Sequence, residues 1–134
     1  MLFIEKIPYI FIENASTKSP QMRVPITPGM DRIQLTIRMA LYNLKIQETY
    51  FSEIMIVDED SNTLLNIPSG PLKFKSDPKN KEFISVNAMT SPTIKNPKTG
   101  NYLLTFILMN NKQSVISIQH SYFSFVKKDG GNAK

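Results

Sequence analysis

Ile33-Gln34-Leu35-Thr36-Ile37-Arg38-Met39-Ala40-Leu41 carries a large apolar side chain at every odd position and a polar one at three of its four even positions. Successive side chains of a β-strand point to opposite faces, so this alternation describes a strand with one buried face. A helix competes for the same residues, because Ile33, Ile37, Ala40, Leu41 and Leu44 also fall at helical spacing. A helix would strand Leu35 and Met39 on its polar side. A strand gathers all five odd residues, so a strand from Arg32 to about Asn43 is expected.

On the N-terminal side, Leu2 to Glu13 is rich in Ile, Phe and Tyr and is expected to form a strand kinked at Pro8, with a polar loop from Asn14 to Ser19. Gln21 to Ile26 can make only a short edge strand, because Pro20, Pro25 and Pro28 withhold ladder donors. Pro28-Gly29 marks the turn into the alternating stretch. On the C-terminal side, Phe51 to Val57, the polar turn Asp58 to Asn62 and the return Thr63 to Ile67 read as a hairpin. Pro68-Ser69-Gly70-Pro71 is expected to break the chain, Lys73 to Lys81 to form a basic surface loop, and Phe83 to Met89 another strand. Ser91 to Gly100 reads as loop. Tyr102 to Met109 is apolar on both faces, as in a central strand, and Asn110-Asn111 as a tight turn. From Ser114 to Val126 the apolar phase shifts, with Ile116 and Ile118 even but Phe123 and Phe125 odd, so a bulge or break is expected near Gln119–Ser121.

About eight short strands without crossover helices imply an all-β, single-domain antiparallel β-sandwich, immunoglobulin-like or jelly-roll-like. The expected domain spans residues 1–126, with 127–134 as a C-terminal tail. At 134 residues the chain is one domain by size and is long enough to bury a real core. Hydrophobic content of 41% and charged content of 20% argue against wholesale disorder.

Composition also excludes chemistry. With no Cys there are no disulfides, thiolate metal sites or cysteine nucleophiles, and the single His rules out a multi-histidine site. No apolar stretch reaches the ~18–20 residues needed to cross a bilayer. The apolar N-terminus lacks a basic leader and a cleavage site, so it reads as a strand and not a signal peptide. A cytoplasmic location, or a place in a virion, is the expectation. Ile, Lys and Asn, which use AT-rich codons, make up 40 residues and hint at a low-GC bacterium or its phage. The net charge of +5 comes from Lys far more than Arg, the residue preferred for bidentate phosphate recognition, so nucleic acid is disfavoured.

Three patterns remain as candidate sites. Asp58, Asp60 and Asn62 form a D-x-D-x-N string like the start of a calcium loop, but Thr63 stands where the Gly is needed and Ser69 where the bidentate Glu belongs. The same residues suit a hairpin turn, which is the expected reading, and no cofactor or metal is assigned. His120 beside Ser117 and Ser121 lacks any nucleophile-elbow context. No enzymatic activity is expected, since adjacent acidic residues in a solvated turn have no cause to acquire split pKa values. The third pattern is charge. Residues 46–62 hold Glu48, Glu53, Asp58, Glu59 and Asp60 without a basic residue, and residues 73–98 hold Lys73, Lys75, Lys79, Lys81, Lys95 and Lys98. Opposite charges on separate segments suit docking to a partner or self-association.

A non-enzymatic protein-interaction or assembly module, using Glu53, the Asp58–Asp60 turn and these lysines, is the first expectation. The first alternative is a carbohydrate-binding module with Tyr42, Tyr50, Tyr102 and Tyr122 as platform candidates near the Asp58 turn. The second is nucleic-acid binding through lysines interleaved with Phe74 and Phe83.

Overall fold

Ten strands and no helix make up the described part of the computed structural model, residues 5–74 and 83–128. In chain order they are β1 (Ile10–Ile12), β2 (Arg23–Ile26), β3 (Arg32–Gln34), β4 (Ile37–Lys45) and β5 (Tyr50–Asp58). These are followed by β6 (Thr63–Leu72), β7 (Phe83–Thr90), β8 (Thr93–Lys95), β9 (Gly100–Met109) and β10 (Val115–Lys127). A three-stranded sheet in the order β1-β4-β7 and a five-stranded sheet in the order β2-β10-β9-β5-β6 form the two layers, and β3-β8 is a separate two-stranded ribbon. The fold is an all-β sandwich.

The alternating stretch is strand throughout, but it serves two sheets. β3 pairs with β8, the chain leaves the ribbon at Leu35 and Thr36, and β4 then joins β1 and β7. Leu35, Ile37, Met39 and Leu41 are buried, so the odd-residue face survives the change of sheet. A bulge between Leu41 and Leu44, with Asn43 at φ 63°, then moves burial to the even residues Leu44 and Ile46. The ribbon accounts for both strands beyond the expected eight, β3 being split from β4 and β8 being new. Part of the expected 91–100 loop is β8, whose Ile94 is 1% exposed.

The N-terminal strand is shorter than its composition suggests. Only Ile10–Ile12 pairs continuously with β4, and Lys6 makes a single bridge to Tyr42 on the other side of Pro8. β2 is the expected edge strand, with Pro25 inside it, but it runs parallel to β10 in an otherwise antiparallel sheet. β6 does not stop at the Pro68–Pro71 cluster and continues to Leu72. It can do so because it is the outermost strand, where proline costs no ladder bond, and because a bulge opposite Tyr50 and Ser52 absorbs the irregularity.

β10 corrects the expected break at Gln119–Ser121. The strand is unbroken there and its register shift lies between Val115 and Ser117. Ser117, Gln119 and Ser121 stand opposite the inward residues Leu108, Phe106 and Leu104, while Ile118, His120 and Tyr122 point outward. Ser117 and Gln119 face in because the N-terminal segment crosses them. The Ser117 hydroxyl accepts from the Ile7 amide at 3.2 Å, and the Gln119 side-chain amide donates to the Ile7 carbonyl at 3.1 Å. Buried backbone groups require such partners, so polarity here marks a chain crossing and not a solvent face.

Between the layers the core gathers Ile37 and Leu44 with Tyr50, Ile56, Leu104, Leu108 and Phe125, each less than 2% exposed. Burying each aliphatic side chain contributes roughly 1.5–3 kcal/mol. Tyr50 keeps its hydroxyl satisfied by donating to Glu5 at 2.9 Å and accepting from the Lys45 amide at 2.8 Å. At the opposite end, the Tyr102 ring stacks on Phe123 and meets Phe125 edge-on, with centroids 5.4 and 5.2 Å away.

Candidate functional site

Strand alternation hands the even residues of β5 and β9 to the core, leaving Phe51, Glu53, Met55, Val57, Leu103, Thr105, Ile107 and Met109 on the outer face of the five-stranded sheet. The register aligns these with the outward residues of β10 in cross-strand rows. Phe51 opposes Met109, which opposes Val115, and Glu53, Ile107 and Ile118 form the next row. Met55, Thr105 and His120 come third, and Val57, Leu103 and Tyr122 fourth. Apart from Glu53, Thr105 and His120, every residue in these four rows is apolar or aromatic. Val115, Ile118 and Tyr122 are 56%, 48% and 71% exposed.

A sheet face turned to water ordinarily carries polar side chains. This one carries an apolar field three strands wide, interrupted by Glu53, Thr105 and His120. Its polar members are held within it, Thr105 Oγ1 lying 3.0 Å from His120 Nδ1. His120 is exposed, and Ser117 and Ser121 sit on the other face of the strand, so the serines and the histidine are not assembled into a catalytic arrangement.

At one end this face runs into the Asp58 turn. A shallow cleft of about 290 Å³ is lined by Asp58, Glu59, Asn101, Tyr102, Leu103 and Tyr122. Of the four tyrosines considered as a platform, Tyr102 and Tyr122 meet here, Tyr122 exposed and Tyr102 buried behind it. Tyr50 is buried at 1% exposure, and Tyr42 lies on the other sheet, 43% exposed. Asn101 spans the cleft floor, its side-chain amide donating to Glu59 at 3.3 Å and its carbonyl accepting from the Ser124 hydroxyl at 2.6 Å.

The Asp58 carboxylate is committed to its own turn. Oδ1 accepts from the Asn62 amide at 2.8 Å and the Asp60 amide at 2.9 Å, and Oδ2 from the Asn62 side chain at 3.2 Å. These bonds, led by that of the Asn62 backbone, hold the Asp58 carboxyl below its usual range. Among the described residues no cluster of three or more His, Asp or Glu is placed to hold a metal ion.

The charged candidates scatter over the molecule. Glu53 sits in the middle of the apolar face, whereas Asp58, Glu59 and Asp60 occupy the β5–β6 turn. Lys98 lies in the segment leading into β9, at the same end as that turn, since Asp58 opposes Tyr102 and the Tyr102 hydroxyl donates to the Lys98 carbonyl at 2.7 Å. Glu48 is remote from them, beside Lys45 and Tyr50. Lys73 and Lys95 are exposed, and Phe74 packs on the core. Lys75, Lys79 and Lys81 lie outside the described residues. The apolar rows escaped sequence reading because Leu103, Ile107 and Ile118 look like core residues until the pairing is known. The one available signal was the apolar character of Tyr102 to Met109 on both faces.

No family model and no curated protein matches the chain. Solved structures do. A β-glucuronidase from Bacteroides uniformis superposes with a TM-score of 0.63 at 14% identity, over 90% of this chain and 14% of that one. A putative β-galactosidase from Bacteroides fragilis gives 0.62 at 14% identity, over 88% and 17%. A bacterial adhesin from Mobiluncus mulieris gives 0.64 at 9% identity, over 96% of this chain and 59% of the adhesin. What is shared is the fold. The chain spans about a sixth of the length of the glycosidases it resembles.

Proposed function

We propose that the chain is a non-catalytic protein-interaction module whose contact surface is the outer face of the five-stranded sheet. The observation that carries this reading is the row pattern itself, Ile107 beside Ile118 and Leu103 beside Tyr122, apolar where a solvated sheet is polar. Interfaces of this kind place aromatic and aliphatic anchors centrally and polar groups at the rim, and Tyr122 with the Asp58 cleft lies at one end of the field. The fold likeness to parts of glycosidases and to an adhesin is compatible with a binding role. A pull-down from the native host, using wild-type chain and Ile118→Lys in parallel, tests the reading. A stoichiometric protein retained by the wild type and lost from the folded variant supports it. Equal retention by both places the contact elsewhere.

A second reading is favoured by the cleft. An exposed Tyr122 ring beside Asp58, Glu59 and Asn101 offers stacking and hydrogen-bond acceptors together, which is what a sugar ring requires. A glycan array probed with wild type and Tyr122→Ala decides it. Signals that vanish in the variant support carbohydrate binding, and a blank wild-type array removes it.

A further inference from the structure

A polar row crosses the outer face of the five-stranded sheet just beyond the apolar rows. Ser124 of β10 stands between Asn101 of β9 and Arg23 of β2. Asn101 reaches Glu59, the residue after β5, so the row runs Arg23, Ser124, Asn101, Glu59. At about 4.8 Å between neighbouring strands it is roughly 14 Å long.

Two internal bonds set its polarity. The Ser124 hydroxyl gives its proton to the Asn101 side-chain carbonyl at 2.6 Å, and the Asn101 amide gives one of its two protons to Glu59 at 3.3 Å. What each side chain has left then alternates along the row. Arg23 offers protons, Ser124 lone pairs, Asn101 its second amide proton and Glu59 a carboxylate oxygen.

Tyr122 stands beside this row with its side chain exposed. It borders the cleft of about 290 Å³ on the Asp58 side and a second cleft, of about 420 Å³, lined by Met22, Arg23 and Ser124. Asn101 and Tyr102 line both, so the two clefts are halves of one trough across the strands, with Tyr122 at its middle. Alternating donors and acceptors beside an open aromatic ring complement a chain of hydroxylated rings. Each hydroxyl both gives and accepts a hydrogen bond, and the C–H face of a sugar packs on an aromatic side chain. A peptide read by its side chains needs enclosed pockets for its anchors, and neither cleft encloses one. Charge gives the trough a direction. Asp58 and Glu59 repel an anion at one end, while the Arg23 guanidinium at the other matches an acidic group bidentately.

We propose that this trough binds an acidic oligosaccharide lying across the strands, with its carboxylate or sulfate on Arg23 and an uncharged sugar unit beside Asp58 and Glu59. The proposal rests on the carbohydrate reading above and adds to it the second cleft, the charge of the ligand and its direction.

A glycan array carrying neutral, carboxylated and sulfated sugars, each as monosaccharides and as short chains, tests it with wild type, Arg23→Gln and Tyr122→Ala. Both substitutions fall on exposed side chains, and circular dichroism checks that the variants fold. The expected result is wild-type binding to acidic chains in preference to neutral chains and to single sugars. Tyr122→Ala should lose that binding. Arg23→Gln should weaken it at least about tenfold and no longer prefer acidic chains. Binding in the carboxylated or the sulfated arm supports the proposal and identifies the acid. Chains bound through Tyr122 but held equally well by Arg23→Gln, or single sugars bound as well as chains, overturn it and leave the carbohydrate reading standing. A blank wild-type array overturns both, including when a peptide library binds through Tyr122 instead.

Discussion

Arg38 Nε donates to Glu13 Oε1 at 2.9 Å, tying β4 to the chain just beyond β1, and the Glu13 side chain is only 5% exposed while that of Arg38 is 37% exposed. Removing one partner of a fully buried pair costs roughly 3–5 kcal/mol, and breaking an exposed pair costs about 0–1 kcal/mol. Arg38→Ala is therefore expected to cost about 2 kcal/mol in urea denaturation, leaving the buried carboxylate without its cation. Replacing both residues with apolar ones should recover part of that loss. A loss from Arg38→Ala no larger than that of an ordinary surface substitution would show that solvent takes the arginine's place.

Gly70 adopts φ +134°, and a Cβ there would stand 2.8 Å from Phe51 Cδ1 and 3.1 Å from the Tyr50 carbonyl oxygen. Gly29 adopts φ +82° with open space around it. Backbone strain and overpacking, at about 1–3 kcal/mol each, act together on Gly70→Ala, so a loss of about 2–4 kcal/mol is expected. Gly29→Ala carries only the backbone cost, about 1 kcal/mol. Equal losses from the two variants in thermal unfolding would remove the steric part of this account.

Asp58 is expected to contribute to the acid limb of the stability profile. Its carboxyl is held below 3.8 in the folded state, chiefly by the Asn62 backbone amide. The ionised form is thus favoured by folding, and its contribution is present above the unfolded value and lost as pH falls through the folded one. Asp58→Asn keeps an acceptor but cannot ionise. Its melting temperature should fall less steeply on acidification than that of the wild type, and parallel curves would assign the acid limb to other groups.

Tyr50 acts at the alkaline end. Burial is the main cause of its raised pKa, with Glu5 as its hydrogen-bond partner adding to it, and Tyr102 is raised by burial and then by Asp58. A raised folded pKa means the stabilising contribution is complete below the unfolded value near 10.0 and is lost as pH rises through the folded one. Tyr50→Phe should be less stable than wild type at neutral pH, since it forfeits bonds to Glu5 and Lys45, and should lose less on going to strongly alkaline pH. A denaturation midpoint that fell equally in both above that pH would contradict the assignment.

Local pattern made much of the fold legible. The odd residues Leu35 to Leu41 are buried as their spacing implied, and the hairpin closes through Asp58 and Asn62 as their turn chemistry required. Gln119 misled because its hydrogen bond is to Ile7, far away in sequence, and a polar residue serving a distant backbone looks identical to one serving water. Pro68 and Pro71 misled for a related reason. Whether a proline ends a strand depends on whether a neighbour needs its missing amide, and the sheet order alone tells that.

The candidate surface was less legible still. The sequence by itself determined that the chain is built of strands, where most of them turn, and which side of the alternating ones is apolar, because a period of two is written into consecutive residues. It could not say that β9 lies between β5 and β10, nor that β10 lies parallel to β2. Those pairings set Ile118 against Ile107 and Tyr122 against Leu103. The tertiary structure decided them, since strand order is chosen by the whole core closing at once. Only then do apolar residues that no neighbour covers become recognisable as a surface.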